Sequence, residues 1–370
     1  MTLTYTPGIN DHDLMWSSPA QQAQAIADMV ALGVKVHRCD LYITDLTDPT
    51  KVVQTTQTFI GWVGLLKAAG IQPFPVITWN DPNAAQTLPD GRVAGAALAT
   101  LAKQVPGVWW EYGNEWESQE GGPSTSRALA YVISFAQVAA DIQAADPTCK
   151  IGPSPVANIN RGGWGWSWTQ YTFQAGLGAV PYDFLPFHWY QYPGNLPPTA
   201  DFNNDPGPGP FLTCIPTFTA QVTTWGNKAP YWLTECGWQS LTTGSGDGQP
   251  EMTQALQATY ITEFLQAITG YGLAVVILYE LGDGGNQLFG LMTANWAAQK
   301  PSYAAVQALL KPAPAPNYQS LYQAAIAQIQ SVGVTQPTQW LAANPGQPAR
   351  SYLASLAGKN AAWLKGHPQS

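Results

Sequence analysis

The sequence predicts an α/β fold in which eight parallel strands, each followed by a helix, form a (β/α)8 barrel. Runs rich in β-branched and aromatic residues alternate with longer helical patterns over the first 310 residues. Helix-to-strand connections are short and marked by glycine, whereas strand-to-helix connections are long. The sequence has no Gly-rich phosphate loop after an early strand, which a doubly wound nucleotide-binding sheet would carry. A barrel is therefore the better prediction.

The elements follow from local patterns taken in order along the chain. Strands are expected at residues 4–8, 34–40, 71–78, 108–115, 150–154, 184–188, 231–235 and 275–280. Helices have apolar residues at helical spacing, and most end at Gly or before Pro. They are expected at residues 18–32, 53–69, 92–104, 124–145, 169–177, 211–225, 251–269 and 302–310. Each helix provides a crossover, so the strands pair in parallel and the long loops gather at one functional end.

Composition excludes several classes of protein. The chain has 370 residues, of which 45% are hydrophobic and 10% charged, too apolar for disorder. A net charge of −8 with only 15 Lys plus Arg argues against nucleic acid and anionic membranes as partners. The four cysteines form neither a disulfide framework nor a metal-binding spacing. Residues 1–14 resemble no secretory signal, so a cytoplasmic protein or a component of a phage-type assembly is expected.

The last part of the chain differs from the rest. The barrel is expected to occupy residues 1–310, and a Pro/Ala-rich linker covers residues 311–317. Apolar residues at helical spacing then predict a helical extension over residues 318–370. That extension is too short to bury much core by itself. We expect it to pack on the barrel or to mediate oligomer or assembly contacts.

Two strands of the predicted barrel end in a glutamate. Strand periodicity places Glu111, Gly113 and Glu115 on one face, and the strand that begins at Tyr231 ends at Glu235. These are the fourth and seventh strands, which face each other across the barrel. Two facing carboxylates are the groups that glycoside hydrolysis requires. The alternative is that both are surface glutamates, each in its own salt bridge. This alternative is less expected for two glutamates at the ends of two separate strands than for either one alone.

The two strand ends resemble a known group of enzymes. Glu111-Tyr112-Gly113-Asn114-Glu115 resembles the fourth-strand Glu-x-x-Asn-Glu of glycoside hydrolase clan A barrels. Thr234-Glu235-Cys236-Gly237-Trp238 resembles the seventh-strand Thr-Glu-x-Gly-Trp of the same clan. The resemblance covers roughly residues 4–310 and is nearest to families 5 and 39.

The resemblance implies a retaining mechanism that needs no cofactor. Glu115 would be the general acid/base, Glu235 the nucleophile, and Asn114 the partner of the sugar 2-hydroxyl. It also implies that Arg38, at the end of the second strand, holds Glu235 ionised. A structural pair between Arg38 and Glu111 is the alternative. His188 and Tyr190 resemble the His-x-Tyr that family 5 places beside its nucleophile.

Further substrate contacts are expected from the loops. Candidate sugar-binding residues are Trp79, Asn80, Trp116, Trp238, Tyr279 and Glu280. Two of these positions depart from the resemblance. The clan commonly has Trp at the end of the eighth strand, where this chain has Tyr279 and Glu280, and many family 5 members have His after the third strand, where this chain has Trp79 and Asn80. Other loop tryptophans are expected either to stack on sugars or to pack as loop core: Trp16, Trp164, Trp166, Trp189 and Trp296. Asp11-His12-Asp13 is not expected to bind a metal, because adjacent loop residues rarely converge on one ion.

The predicted function is a retaining hydrolase of a β-linked or furanosidic polysaccharide. The long Pro- and Gly-rich loop after the sixth strand favours endo action. Two alternatives stay open. One is a carbohydrate-binding protein of a virion-type assembly with little or no catalysis. The other is a transglycosidase that uses the same two carboxylates.

Overall fold

The computed structural model describes residues 3–12, 14–78, 88, 90–118, 122–157, 159–190, 196–200, 211–240, 252–284 and 288–311. The predicted linker and extension beyond Lys311, together with Trp79 and Asn80, lie outside the described residues. Division of the chain into a barrel and an extension therefore stays a prediction. The described residues form eight parallel strands with helices between them, which confirms the predicted fold class.

The strands are β1 to β8 in chain order. They span Thr6–Asn10, Val36–Tyr42, Gln72–Thr78, Trp109–Tyr112, Lys150–Pro153, Leu185–Tyr190, Tyr231–Gly237 and Leu273–Leu278. Neighbouring strands are hydrogen-bonded in the order β5-β4-β3-β2-β1-β8-β7-β6. The β5–β6 seam closes through a few bonds, in which Asp183 N–H donates to Ile151 O and His188 N–H donates to Val156 O, at 2.8 and 2.9 Å. The result is a nearly closed barrel.

The described helices are α1 to α9 in chain order. They span Pro19–Leu32, Ile43–Thr47, Val52–Ala68, Gly91–Ala102, Thr125–Ala145, Trp164–Gln174, Phe211–Thr224, Gln254–Ala267 and Pro301–Leu310. Side-chain caps open several of them, such as the capping box of Ser18 and Gln21 at α1. The short helix α2 was not predicted, and its Ile43 and Leu46 are buried.

Helix α5 is long and apolar enough to pass a length-and-composition test for a membrane span. One face of the helix is buried, and it includes Tyr131, Phe135, Val138 and Ile142. Its Tyr131 hydroxyl donates to Tyr112 O of β4 at 2.8 Å. These contacts are those of a helix that packs on the barrel.

The barrel interior is layered. An apolar layer fills the lower part, and its members are Val36, Phe74, Phe184, Trp232, Val275 and Ile277. In that layer the rings of Phe184 and Trp232 stack with centroids 3.7 Å apart. One step along β2 and β4, the inward residues become Arg38 and Glu111, both fully buried. This charged layer lies between the apolar core and the carboxyl ends of the strands.

Candidate active site

Strand β4 places Glu115 by leaving the extended conformation early. We expected a strand to residue 115, but β4 ends at Tyr112, and Gly113 and Glu115 adopt φ angles of 100° and 48°. The prediction that Glu115 follows strand alternation was therefore wrong. A left-handed Glu is sparsely populated, and such conformations are held by their surroundings. The turn leaves the Glu115 side chain 26% exposed at the barrel mouth.

Strand β7 places Glu235 deeper, where it is only 5% exposed. Both of its oxygens have donors. Arg38 Nη1 donates to Oε1 at 2.5 Å, and the Tyr190 hydroxyl donates to Oε2 at 2.6 Å. Two charged or polar donors stabilise a carboxylate and fix its direction. Glu235 is thus an oriented anion.

Arg38 connects three residues of the site. Its Nε lies 2.6 Å from Glu111 Oε2, and its Nη2 donates to Asn114 Oδ1 at 2.8 Å. With the bond to Glu235, one guanidinium orients two carboxylates and an amide. The two alternatives for Arg38, a partner of Glu235 or of Glu111, therefore hold at once.

His188 links the two candidate catalytic carboxylates. Its Nδ1 lies 2.7 Å from Glu115 Oε1 and 3.5 Å from Glu235 Oε2. A register shift between Phe187 and His188 in the pairing of β6 with β7 places His188 opposite Glu235. The three groups each offer an oxygen or nitrogen within 4.8 Å of the others. Glu115, His188 and Glu235, predicted from separate strands, are thus brought together.

Burial controls protonation in the site. It raises the pKa of Glu115 to about 7, although Arg38 and His12 oppose the rise. It also raises the pKa of Glu111 to about 7 against the opposing effect of Arg38. Burial lowers the pKa of His188 to about 3, so this imidazole is neutral near pH 7. Burial and Glu235 raise the pKa of the Tyr190 hydroxyl well above its usual range, which keeps it a donor.

A second polar group lines the wall formed by β8, β1 and β2. His12 Nδ1 lies 2.8 Å from Asp40 Oδ1, and Nε2 lies 3.3 Å from Asn10 Nδ2. Burial lowers the pKa of His12, but Asp40 more than compensates and raises it to about 9. Sequence analysis missed Asp40. The signal was available, since Arg38 and Asp40 are two apart on one strand and share the inward face.

The end of β8 places both predicted residues near this group. The Tyr279 ring lies edge-on to His12 and Tyr190, with centroid distances of 5.3 and 6.1 Å. Glu280 is 4% exposed, accepts a 3.2 Å hydrogen bond from Gly284 N–H, and follows a cis Tyr279–Glu280 peptide bond. Burial and Asp11 raise its pKa to about 8.

Two predicted sugar platforms are buried, and those predictions were wrong. Trp116 is 4% exposed, and its ring lies 5.7 Å from the Arg127 guanidinium carbon. Trp238 is 1% exposed and packs on Phe264 at 5.3 Å. Rings this deep have no face for a ligand. Trp116 directly follows Glu115 and Trp238 lies three residues after Glu235, in loops where sequence alone does not tell a platform from loop core.

The remaining loop tryptophans divide between core and surface. Trp189 is fully buried, and Trp16, Trp166 and Trp296 are partly buried among other residues. The segment from Trp164, expected as a loop before a helix at 169–177, is the first turn of α6. Trp164 itself is 57% exposed. Among the described tryptophans it offers the largest free surface fraction.

A metal ion is a poor fit to the three-residue group. Glu115, His188 and Glu235 have donor atoms near enough to one another to share an ion. Arg38, however, already places a positive charge 2.5 Å from Glu235 Oε1. A divalent cation beside a fixed guanidinium would be repelled. The arrangement suits proton transfer better than metal binding.

Comparison with known proteins relates the chain to glycosidases by fold. No family model matches the sequence, and no curated protein matches it. A family 39 glycoside hydrolase from Bacteroides cellulosilyticus is similar in structure, with a TM-score of 0.64 and 17% identity over 84% of this chain. A glucosidase from Croceicoccus marinus has a TM-score of 0.61 and 17% identity over 84% of this chain. A hyperthermostable endo-1,4-β-D-mannanase from Thermotoga petrophila has a TM-score of 0.55 and 13% identity over 83% of this chain.

The matched share of the neighbours differs. The alignment spans 64% of the family 39 protein, 67% of the glucosidase and 99% of the mannanase. At these identities the likeness establishes the barrel fold.

Proposed function

We propose that the protein is a retaining glycoside hydrolase of the clan A type that cleaves a β-linked or furanosidic polysaccharide. The spacing of the two carboxylates carries the proposal. Oxygens of Glu115 and Glu235 lie within 4.8 Å of each other. Retaining enzymes hold their carboxyl groups about 5–5.5 Å apart, whereas inverting enzymes need about 6.5–9.5 Å to admit a water. The spacing here favours direct attack by one carboxylate.

In the first step, a Glu235 oxygen attacks the anomeric carbon and forms a glycosyl ester. The glycosidic carbon–oxygen bond breaks as Glu115 donates its proton to the leaving oxygen. Glu235 suits the nucleophile because it is deeper and oriented by Arg38 and Tyr190. Glu115 suits the acid because burial raises its pKa to about 7.

In the second step, water hydrolyses the ester. The Glu115 carboxylate takes a proton from the water, the oxygen of the water bonds to the anomeric carbon, and Glu235 leaves as a carboxylate. His188, neutral and 2.7 Å from Glu115, stays in contact with that carboxyl. Both catalytic groups are thereby restored, and no cofactor takes part.

Other residues would bind and orient the sugar. Asn114, which Arg38 holds at 2.8 Å, is proposed to bind the 2-hydroxyl. Tyr279 and Glu280 are proposed to contact the same sugar from β8, and Trp79 and Asn80 stay proposals from sequence. The neighbours include an endo-1,4-β-D-mannanase, which supports a β-linked substrate. Endo action is proposed from the long loop after β6.

The deciding experiment measures reducing-sugar release from a polysaccharide panel. The panel contains β-glucans, mannans, xylans, arabinans and galactans, with wild type and Glu235→Gln assayed in parallel. We expect release by wild type and a loss of at least about 10³-fold in the variant, whose fold is unchanged by circular dichroism. Glycan binding without release by wild type would support the carbohydrate-binding alternative. Transfer to an added acceptor sugar in preference to water would identify a transglycosidase.

The roles of the two glutamates are separable by chemical rescue. Glu115→Ala removes the acid/base, so azide should restore turnover of a 2,4-dinitrophenyl glycoside and yield a glycosyl azide of retained configuration. NMR of the product reads that configuration. An azide product of inverted configuration would reverse the assignment of the two carboxylates.

A further inference from the structure

The buried Arg38 has two carboxylate partners, and catalysis consumes the charge of one of them. Arg38 and Glu111 are fully buried, and Glu235 is nearly so. Arg38 Nε and Nη2 both lie 2.6 Å from Glu111 Oε2, while Nη1 lies 2.5 Å from Glu235 Oε1. In the proposed mechanism Glu235 becomes a neutral ester after the first step. The guanidinium, which is itself fully buried, then loses one of its two anions.

We propose that Glu111 is the positioning residue that keeps Arg38 neutralised while Glu235 carries the sugar. This inference rests on the proposed retaining function. A buried charge left without a partner is strongly unfavourable, so the glycosyl-enzyme would be destabilised without a second anion. Glu111 supplies that anion from the layer below and never touches the substrate.

Other groups around Arg38 do not replace Glu111. Asn114 contacts Nη2 but is uncharged. Asp40 acts on Arg38 through space, yet it already pairs with His12 at 2.8 Å. Glu115 is a carboxylate in the intermediate but must accept the proton of the incoming water. Among the described residues, Glu111 alone pairs with Arg38 and takes no part in bond making.

The arrangement also tunes the nucleophile in the resting enzyme. Two carboxylates share one guanidinium, so Arg38 stabilises each of them less than it would stabilise one alone. Burial is the main cause of the raised pKa of Glu111, and repulsion by Glu235 adds to it. A Glu235 that is less completely neutralised is the better nucleophile. Removing Glu111 should therefore slow formation of the intermediate for two reasons. Arg38 would neutralise Glu235 more completely and make it a weaker nucleophile, and Arg38 would have no anionic partner once the ester has formed.

The second step should respond in the opposite direction. Hydrolysis of the ester returns the negative charge to Glu235 and gives Arg38 its partner back. Without Glu111, the intermediate is less stable relative to the product state, so its breakdown should be no slower than in wild type. A purely structural role for Glu111 would slow both steps together.

The test measures the two steps separately in Glu111→Gln. The probes are 2,4-dinitrophenyl 2-deoxy-2-fluoro glycosides of glucose, mannose, xylose and galactose, of which the one that labels wild type fastest is used. The inactivation rate constant reports intermediate formation, and the reactivation rate constant reports its hydrolysis. We expect inactivation to slow by about tenfold or more, with reactivation equal to or faster than that of wild type. Intact-mass spectrometry verifies the covalent label.

Two further variants control for folding. Glu111→Asp keeps the negative charge and should recover at least part of the inactivation rate. Glu117→Gln removes a carboxyl that is equally buried but does not contact Arg38, and should leave the ratio of the two rate constants as in wild type. If Glu111→Gln does not fold, Glu111→Asp decides the inference. Its ratio of inactivation to reactivation rate constants must then stay near that of wild type.

Three results would overturn the inference. They are a wild-type inactivation rate in Glu111→Gln, equal slowing of both steps in that variant, or a lost inactivation rate in a folded Glu111→Asp. A wild-type protein that none of the probes labels would instead contradict the retaining function. The two failures are thus distinguishable.

Discussion

At the scale of single residues, the proposed chemistry depends on how burial and charge distinguish two glutamates, Glu115 and Glu235. Glu235 lies 5% exposed between two donors, whereas Glu115 is more open and hydrogen-bonds a neutral histidine. Opposite environments of this kind divide acid and nucleophile roles between like groups. The pKa of about 7 for Glu115 makes that division measurable.

The pH dependence of kcat/KM should show a basic limb near pH 7. Glu115 acts as an acid only while protonated, so activity is present below its pKa and is lost as the pH rises through it. A substrate with a poor leaving group, such as an oligosaccharide, should show this limb. A dinitrophenyl glycoside, whose leaving group needs no proton, should lack it. The same basic limb with both substrates would remove Glu115 from the acid role.

Sequence identified most of the residues that contact one another at the mouth of the barrel. Glu115, Glu235, Arg38, Asn114, His188 and Tyr190 could all be named because strand ends are local features. Asp40 could have been named from its spacing to Arg38 on β2, but its pairing with His12 could not, because His12 lies in the loop after β1 and the contact depends on the path of that loop. Burial of Trp116 and Trp238 was unpredictable for the same reason, since tertiary packing decides which ring is covered.

At the scale of elements, strand ends and the loops after them decide where side chains point. β4 stops three residues before Glu115, and a register shift in β6 falls at His188. Neither irregularity is visible in a hydrophobic pattern, although each strand was predicted within a few residues. Likewise the Trp-rich segment before residue 169 was not recognised as helix, because its glycines resemble those of a loop.

The first turn of α6 offers an aromatic surface next to the loop that carries Glu115. Trp164 is 57% exposed, and its ring lies about 3.3 Å from where a side chain on Gly122 would begin. We expect Trp164→Ala to raise KM on the polysaccharide roughly threefold to tenfold and to leave KM for a small aryl glycoside unchanged. Ile133→Ala, equally exposed on α5, is the control. An unchanged polysaccharide KM would show that no sugar stacks there.

The segment after β8 contains a buried ion pair whose lysine also reaches the loop after β7. Lys300 Nζ lies 2.5 Å from Asp283 Oδ1 and donates to Ser240 Oγ at 3.1 Å. Lys300→Met should lower the free energy of unfolding by about 3 kcal/mol, because Asp283 becomes an unpaired buried charge. Adding Asp283→Asn should recover part of that loss. Urea unfolding measures both, with exposed Lys103→Met as control, and a double variant no more stable than the single would contradict the pairing.

At the scale of the whole molecule, alternation of strands and helices predicted the barrel, and the structure confirms it. Closure between β5 and β6 could not be predicted, since it relies on a few bonds around Asp183 and Val156. The layered interior was only partly foreseen. Sequence periodicity predicts that Arg38 and Glu111 face inward, but it does not predict that they lie directly above the apolar layer. The fold thus buries several ionisable side chains.

Those buried groups should make the protein less stable at alkaline pH. Burial raises the pKa of Glu111 to about 7 and those of Glu117 and Glu280 to about 8, while Asp40 raises that of His12 to about 9 despite burial. Each folded-state pKa exceeds its unfolded value, so each contribution to stability is lost as the pH rises through it.

The expected result is a melting temperature that falls steadily from about pH 6.5 to pH 9. His37 and His188 do not offset this trend. Burial lowers the pKa of each to about 3, so these two histidines reduce the stability of the protein only as the pH falls below 6.5. Thermal unfolding followed by circular dichroism measures the slope. Glu117→Gln, which cannot ionise, should flatten it, and a melting temperature that rises across this window would contradict the raised pKa values of Glu117, Glu280 and His12.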